Sequence, residues 1–149
     1  MKSARNLIKT ISILLLCLGT ATSTAQGQSV TLTVLVSGAK PGSGQALFSL
    51  FDSKKSFLKT PLISRDAPIS EIGSAEFVIK DLSPGVYAVT VIHDEDSSGD
   101  LNTGFLGIPV EKVGMSNNPT ARFGPPSFRK ASFELDQSLT LEILLEGLE

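Results

Sequence analysis

Short segments in which apolar and polar residues alternate recur along the chain, and this period of two is typical of β-strands with one buried face. Residues 30–36 show it most clearly, because Val30, Leu32, Val34 and Val36 fall on one side of an extended chain. The predicted strands cover residues 30–36, 45–51, 76–80, 86–93, 131–135 and 139–145. No segment of the sequence has the sustained period of an amphipathic helix.

The connections between these strands differ greatly in length. Glycine and proline in residues 38–44 predict a turn, so strands 30–36 and 45–51 are interpreted as a hairpin. Residues 52–74 lack a sustained period and predict a loop with room for a short edge strand. Residues 94–130 contain no strand-like run but much Gly, Pro and Asn. A connection this long is usually functional or held in place by another part of the molecule.

Strand content, turn spacing and the lack of helices together predict the fold class. We expect an all-β protein, an antiparallel β-sandwich of the immunoglobulin-like or transthyretin-like kind, with about seven strands and one long ordered loop. Residues 26–149 have the size of one ordinary domain and contain no internal repeat. We therefore predict a single β-sandwich domain over residues 26–149.

The first 25 residues have the three parts of a secretory signal peptide. Lys2, Arg5 and Lys9 give a positive start, residues 11–19 form an apolar run, and residues 23–25 are small. The apolar run is too short to span a bilayer, so cleavage is favoured over an uncleaved anchor. We expect a secreted or periplasmic protein whose mature chain has no transmembrane segment.

Loss of this peptide changes the chemistry that remains. Cys17 is the single cysteine of the chain, so the mature protein has no disulfide, thiolate ligand or cysteine nucleophile. Ten basic residues then face fifteen acidic ones, a net charge near −5. Nucleic acid is excluded as a partner on this ground, because binding phosphates requires a basic face.

Acidic and polar residues recur at every second position after the strand at 86–93. They are Asp94, Asp96, Ser98, Asp100 and Asn102, with Gly99 inside the series. This spacing matches the opening of an EF-hand loop, in which alternate oxygens face one Ca²⁺ ion and a glycine permits a sharp bend. The twelfth position, where that motif has a bidentate glutamate, holds Phe105, and neither flank predicts a helix. A further ligand is therefore needed, with Asn102 or Glu111 as the candidates.

Two other interpretations of this region stay open. Asp, Ser and Gly are also the residues of turns whose side chains cap their own backbone, without any ion.

His93, the single histidine, is expected to be structural and hydrogen-bonded to the loop that follows it. A weak hydrolase centred on His93 is the remaining possibility, although the sequence has no Gly-x-Ser-x-Gly motif. No catalytic residue is predicted.

Large apolar residues are spaced along the long connection. They are Phe105, Ile108, Phe123 and Phe128. We expect them to anchor the connection against the sandwich by ordinary packing, and a ligand-binding groove is the alternative.

An ordered series of short motifs then resembles a known family. The motifs are His93-Asp-x-Asp, Ser98-Gly-Asp-Leu-Asn102, Gly107-Ile-Pro-x-Glu111, Gly114-x-Ser-Asn-Asn118 and Gly124-Pro-Pro-Ser-Phe128. From about Val30 onward the chain is similar to the bacterial domain-of-unknown-function family numbered 2141. The resemblance implies a secreted or periplasmic protein of uncharacterised activity. That family commonly has Asn where Glu95 or Asp96 stands here, so the resemblance does not require a carboxylate at each position.

A second, shorter motif bears on the fold alone. Leu82-x-Pro-Gly-x-Tyr87 looks like the turn of transthyretin-like and carboxypeptidase-regulatory sandwiches. The sequence thus predicts an exported, non-enzymatic β-sandwich module with a Ca²⁺-binding loop. The alternative is an ion-free structural or carrier domain that binds a protein or glycan partner.

Overall fold

The computed structural model describes residues 29–99, 101–104, 109–120 and 124–147, whose backbone forms strands and one short helix. The strands are β1 (Val30–Ser37), β2 (Gln45–Phe51), β3 (Ile63–Pro68), β4 (Ala75–Leu82), β5 (Gly85–Asp94), β6 (Val113–Met115), β7 (Phe133–Leu135) and β8 (Leu139–Leu144). The helix α1 spans Phe128–Ala131. The predicted all-β class is confirmed.

Two sheets build the sandwich. The first has the order β4-β1-β8, in which β1 pairs antiparallel with β4 and parallel with β8. The second has the order β3-β2-β5-β6, all antiparallel. β7 also pairs with β5, so the start of β5 contacts β7 and its later part contacts β6 along the same edge. β5 is therefore the central strand of the second sheet.

The predicted hairpin between β1 and β2 is wrong, because the two strands belong to different sheets. Alternation identified the buried face of each strand correctly, but two strands that face one core from opposite sides show the same alternation. Residues 38–44 cross between the sheets. Backbone bonds from Ala39 N to Gly73 O (3.2 Å) and from Gly42 N to Ser70 O (2.9 Å) hold this crossing.

The long connection also differs from the expectation, since it contains β6 and α1. β6 has three residues with Gly114 at its centre, too short a segment to show a period. A Cβ atom on Gly114 would lie 2.6 Å from Cγ2 of Ile143, so the strand approaches the opposite sheet where only glycine fits. β3 lies at the edge of the second sheet and agrees with the short edge strand predicted within residues 52–74.

The main core lies between the two sheets and is formed by the predicted alternating positions. Val30, Leu32, Val34 and Val36 of β1 are all buried. Across the core, the rings of Phe48 and Phe77 stack with their centroids 4.9 Å apart. Aromatic contacts of this kind add to the stabilisation from apolar burial.

A second, smaller apolar cluster lies beneath the long connection. Phe51, Phe57, Ala88 and Ala131 are its buried members, and Phe128 packs against them. The rings of Phe57 and Phe128 meet edge to face with centroids 5.6 Å apart. Phe128 therefore packs as an anchor. The other expected anchors, Phe105, Ile108 and Phe123, lie outside the described residues, as does the expected signal peptide, residues 1–25.

The turn after β6 joins the two sheets on one side of the sandwich. The buried Ser116 hydroxyl accepts a bond from Val89 N (2.9 Å) on β5. Asn118 pairs with β8 like a short piece of strand, because its Oδ1 accepts from Leu144 N (3.0 Å) and its Nδ2 donates to Glu142 O (3.2 Å). The Gly-x-Ser-Asn-Asn motif thus closes the side that carries β6 and β8.

α1 is the single helix in the part of the chain that the structure describes, and its four residues cannot cross a bilayer.

Candidate metal centre

The acidic loop begins where β5 ends, and Asp94 is the last residue of that strand. In the ladder Asp94 faces Gln45, the first residue of β2, and its side chain is fully buried. The strand pairing therefore places one carboxylate of the predicted series inside the protein, on the face of the second sheet that points away from the main core.

Hydrogen bonds to both oxygens stabilise the Asp94 carboxylate. Oδ1 accepts from Ser98 N (2.9 Å), while Oδ2 accepts from Gly99 N (2.9 Å) and Gln45 Nε2 (2.8 Å). Burial raises the pKa of Asp94, but the bonds from Gln45, Gly99 and Ser98 outweigh it and hold the pKa at about 2, against 3.8 in a free side chain. Asp94 is consequently ionised at neutral pH.

Glu111 holds both ends of the loop. Its buried carboxylate accepts from Asn102 N (2.8 Å) through Oε2 and from Glu95 N (3.2 Å) through Oε1. Backbone pairing of Val110 N with Asn102 O (3.1 Å) brings the returning chain alongside. Of the two residues suggested as a further ligand, Glu111 is therefore the one that adds a carboxylate beside the loop.

Three carboxylates converge in this region. One oxygen from each of Asp94, Asp96 and Glu111 lies within 4.8 Å of the others. Two oxygens bound to the same Ca²⁺ ion are separated by at most about 5 Å, twice the usual metal–oxygen distance. The separation therefore suits a shared cation, and without one it sets like charges close together.

The remaining predicted ligands take other roles in this conformation. Ser98 Oγ lies 3.4 Å from Asp94 Oδ1, and its backbone N–H donates to Asp96 Oδ1 (3.1 Å). Asn102 presents its amide N–H to Asp96 Oδ2 (3.0 Å), so it would need a rotated amide to offer its oxygen to a cation. Asp100 lies outside the described residues. The capped-turn geometry of the alternative interpretation is thus present together with the carboxylate cluster.

His93 faces the opposite side of β5 from Asp94 and is fully buried. Its Nε2 lies 2.9 Å from Ser43 O, in the crossing before β2, rather than bonding to the loop that follows. The expected partner of His93 is therefore wrong, because alternation along the strand directs residue 93 away from the loop side. Within the described residues, Nδ1 has no hydrogen-bond partner and lies 3.9 Å from Glu95 Oε1.

Lys40 adds a charged contact across the same crossing. Its Nζ donates to Glu95 Oε2 at 3.0 Å, and this bond is the main reason that the pKa of Glu95 lies below its usual value. Residues 40–45 thus contact both the end of β5 and the loop. Gln45 bonds to Asp94, Ser43 to His93 and Lys40 to Glu95. No pattern in the sequence predicts these contacts, since they depend on β2 pairing with β5 some fifty positions away.

The fold and site define an all-β sandwich in which a carboxylate cluster lies at the end of the central strand. The chain belongs to DUF2141, described as an uncharacterised protein family conserved in bacteria, and the family model matches residues 34–142. The family resemblance seen in the sequence is confirmed.

Two curated relatives share a shorter region. A mitochondrial guanidino acid hydrolase of Homo sapiens is 37% identical over 70 residues, which are 47% of this chain and 19% of the relative. The Mus musculus protein of that name is 33% identical over the same coverage. The chain thus spans about a fifth of the length of these relatives. No solved structure matches the chain significantly.

Proposed function

We propose that this protein is an exported, non-enzymatic module that binds Ca²⁺ through Asp94, Asp96 and Glu111. The observation that carries the proposal is the convergence of these three carboxylates within 4.8 Å. Ser98 and Asn102 complete the ligand set directly or through water, and Asp100 keeps its predicted place in it. The signal-peptide pattern of residues 1–25 supports export to the periplasm or the medium.

The chemistry of the donors favours Ca²⁺ over other metals. All three clustered groups offer oxygen, and hard oxygen ligands suit Ca²⁺ or Mg²⁺ rather than copper or zinc. Mg²⁺ demands a small, nearly ideal octahedron and usually keeps several waters, whereas Ca²⁺ accepts six to eight ligands in irregular geometry. The proposed ligands come from two separate segments of the chain, and such a set suits the irregular coordination of Ca²⁺ better than the octahedron of Mg²⁺.

Binding would act on the structure of the loop. The ion would link the end of β5 to residue 111, which immediately precedes the segment leading into β6. It would also reduce the repulsion among the three carboxylates. We therefore expect Ca²⁺ to stabilise the fold and to order the surface of the long connection for a protein or glycan partner.

The non-enzymatic part of the proposal rests on His93. Its ring has no exposed surface and one of its nitrogens is occupied by Ser43 O, so no substrate reaches it in this conformation. A hydrolase centred on His93 is accordingly disfavoured.

Thermal unfolding of the mature protein in Ca²⁺, in chelator and in Mg²⁺ at equal ionic strength tests the proposal. At a Ca²⁺ concentration of one hundred times the dissociation constant, we expect stabilisation by about 2.7 kcal/mol, a melting shift on the order of 10 °C. Asp96→Asn should weaken Ca²⁺ binding at least about tenfold, because it removes the charge of an exposed ligand. Glu134→Gln, an exposed carboxylate on β7, is the control and should keep the full shift.

The quantity to compare is the difference between Ca²⁺ and chelator within each variant, so that a change in the stability of the ion-free protein does not enter. Absence of a Ca²⁺-selective shift in the unmodified protein refutes the proposal. The ion-free carrier domain would then be favoured, since the caps from Ser98 and Gly99 to Asp94 already give the loop a defined structure.

A further inference from the structure

β4 forms an edge of the first sheet. It pairs with β1 on one side, and no strand of the described residues pairs with its other side. The opposite edge of that sheet is covered by Asn118 and by the backbone pairing of Val113 with Glu146. The sandwich is therefore closed on one side and leaves the backbone donors and acceptors of β4 available on the other.

The side chains of β4 alternate strictly over five residues. Phe77 and Ile79 are buried in the core, while Glu76, Val78 and Lys80 point outward and are exposed. Val78 has 47% of its surface exposed and lies between the two opposite charges. Along β4 the outward side chains are thus an acidic one, an apolar one and a basic one, in that order.

We infer that β4 pairs antiparallel with β4 of a second copy of this chain, with Val78 facing Val78 across a twofold axis. Residues that face each other in an antiparallel pair lie on the same side of the sheet, so the axis must pass beside one residue and its own copy. With the axis at Val78, Glu76 of each copy faces Lys80 of the other. Both charge pairs are then favourable, and the two sheets become one.

The charges select this register. If the axis passed beside Phe77, Glu76 would face Val78, and neither charge would meet its opposite. A lysine on an edge usually prevents strand addition, but here each lysine has a glutamate opposite it. The regular part of the edge ends near Lys80, because the pairing with β1 shifts register there and Asp81 has φ of +59°. The bulge limits the contact to a short segment.

β3 is the other edge on this side of the sandwich, and it does not offer the same complementarity. Arg65 and Asp66 are neighbours in sequence and so point to opposite faces. They cannot face each other across a twofold axis, and Pro68 ends the strand without a backbone donor. Charge complementarity therefore favours β4.

Sedimentation velocity of the mature protein over a range of concentrations tests this inference. A short edge buries less than a stable interface, about 1,200 Å², so we expect a weak, concentration-dependent dimer. Lys80→Glu should raise the dimer dissociation constant at least about tenfold, since both charge pairs become repulsive. The exchange Glu76→Lys with Lys80→Glu should restore the dimer. Lys55→Glu, the same charge change at an exposed position, should leave it unchanged.

Cross-linking provides a second measurement that does not depend on charge. The mature chain is expected to have no cysteine, so Val78→Cys should form a disulfide-linked dimer in mild oxidant. Val86→Cys is the matched control, because Val86 is 45% exposed on the other sheet and pairs with β7. A monomer at every concentration overturns the inference. So does a dimer that tolerates Lys80→Glu, or equal cross-linking through both cysteines.

Discussion

Replacement of Asp94 by asparagine tests whether the buried carboxylate holds the loop in the absence of an ion. The substitution keeps the size of the side chain and one acceptor oxygen. It turns the other oxygen into an N–H₂ group, which meets the backbone N–H of Gly99 or of Ser98, both 2.9 Å from the carboxylate. Donor then faces donor in a buried place, and the charge that both bonds share is lost.

The magnitude follows from the pKa of Asp94. A value of about 2 in the folded protein, against 3.8 in a free side chain, corresponds to about 2 kcal/mol of stability at neutral pH. An unpaired buried N–H adds a cost of about 1 kcal/mol or more. We expect Asp94→Asn to lose about 3 kcal/mol or more, a drop in melting temperature on the order of 10 °C for a domain of this size.

The assay is thermal unfolding in chelator between pH 7 and pH 2. Folding lowers the pKa of Asp94, so its contribution is fully present well above pH 3.8 and is lost as the pH falls through that value toward about 2. The difference between the wild-type protein and Asp94→Asn should therefore shrink over this window. Asp66→Asn, an exposed carboxylate on β3, is the matched control and should behave like the wild type.

Two results would refute this reasoning. If Asp94→Asn melted with the wild type in chelator, the hydrogen bonds to the carboxylate would contribute nothing. If the difference stayed constant down to pH 2, it would come from altered packing and not from the carboxylate charge. Neither result depends on whether the loop binds Ca²⁺.

Three further substitutions probe the surroundings of the loop and of the central strand, each measured by urea unfolding at pH 7 in chelator. Gly44→Ala should lose about 2 kcal/mol or more, because φ is +66° and a Cβ would lie 2.7 Å from Cα of Glu95. Gly99→Ala, with φ of +86° and open space around it, should lose only about 1 kcal/mol, and equal losses would contradict the steric argument. Tyr87→Phe should lose about 1 kcal/mol, since it removes the hydroxyl bond to Ser83 O (2.8 Å), and an unchanged midpoint would show that this bond is neutral.

The sequence predicted the buried faces of the strands but not their partners. Alternation in β1 and β4 correctly placed Val34 and Phe77 in the core. It did not distinguish a hairpin from a crossing between sheets, because both leave each strand with one apolar face. The sequence pattern did not predict β6, for a different reason. Its glycine centre is set by the closeness of Ile143, a contact between residues distant in sequence.

In the candidate site, too, local spacing was predictable from the sequence, whereas contacts between distant segments were not. Regular spacing along one loop identified Asp94 and Asp96, since ligands from a single segment leave a local pattern. Glu111 could be suggested but not chosen over Asn102, because its place depends on how the chain returns after residue 104. The partner of His93, Ser43 O, followed from the pairing of β2 with β5, which the sequence does not state.

The parallel pairing of β1 with β8 has a consequence for how the protein is made. β1 is the central strand of its sheet, yet its neighbour β8 lies far from it in sequence, and the bond from Thr31 N to Ser138 Oγ spans 107 positions. The first sheet therefore cannot be completed until β8, residues Leu139–Leu144, has been synthesised. Contacts this distant also slow folding. Before β8 is synthesised, β1 can therefore pair in this sheet with β4 alone among the strands that the structure describes.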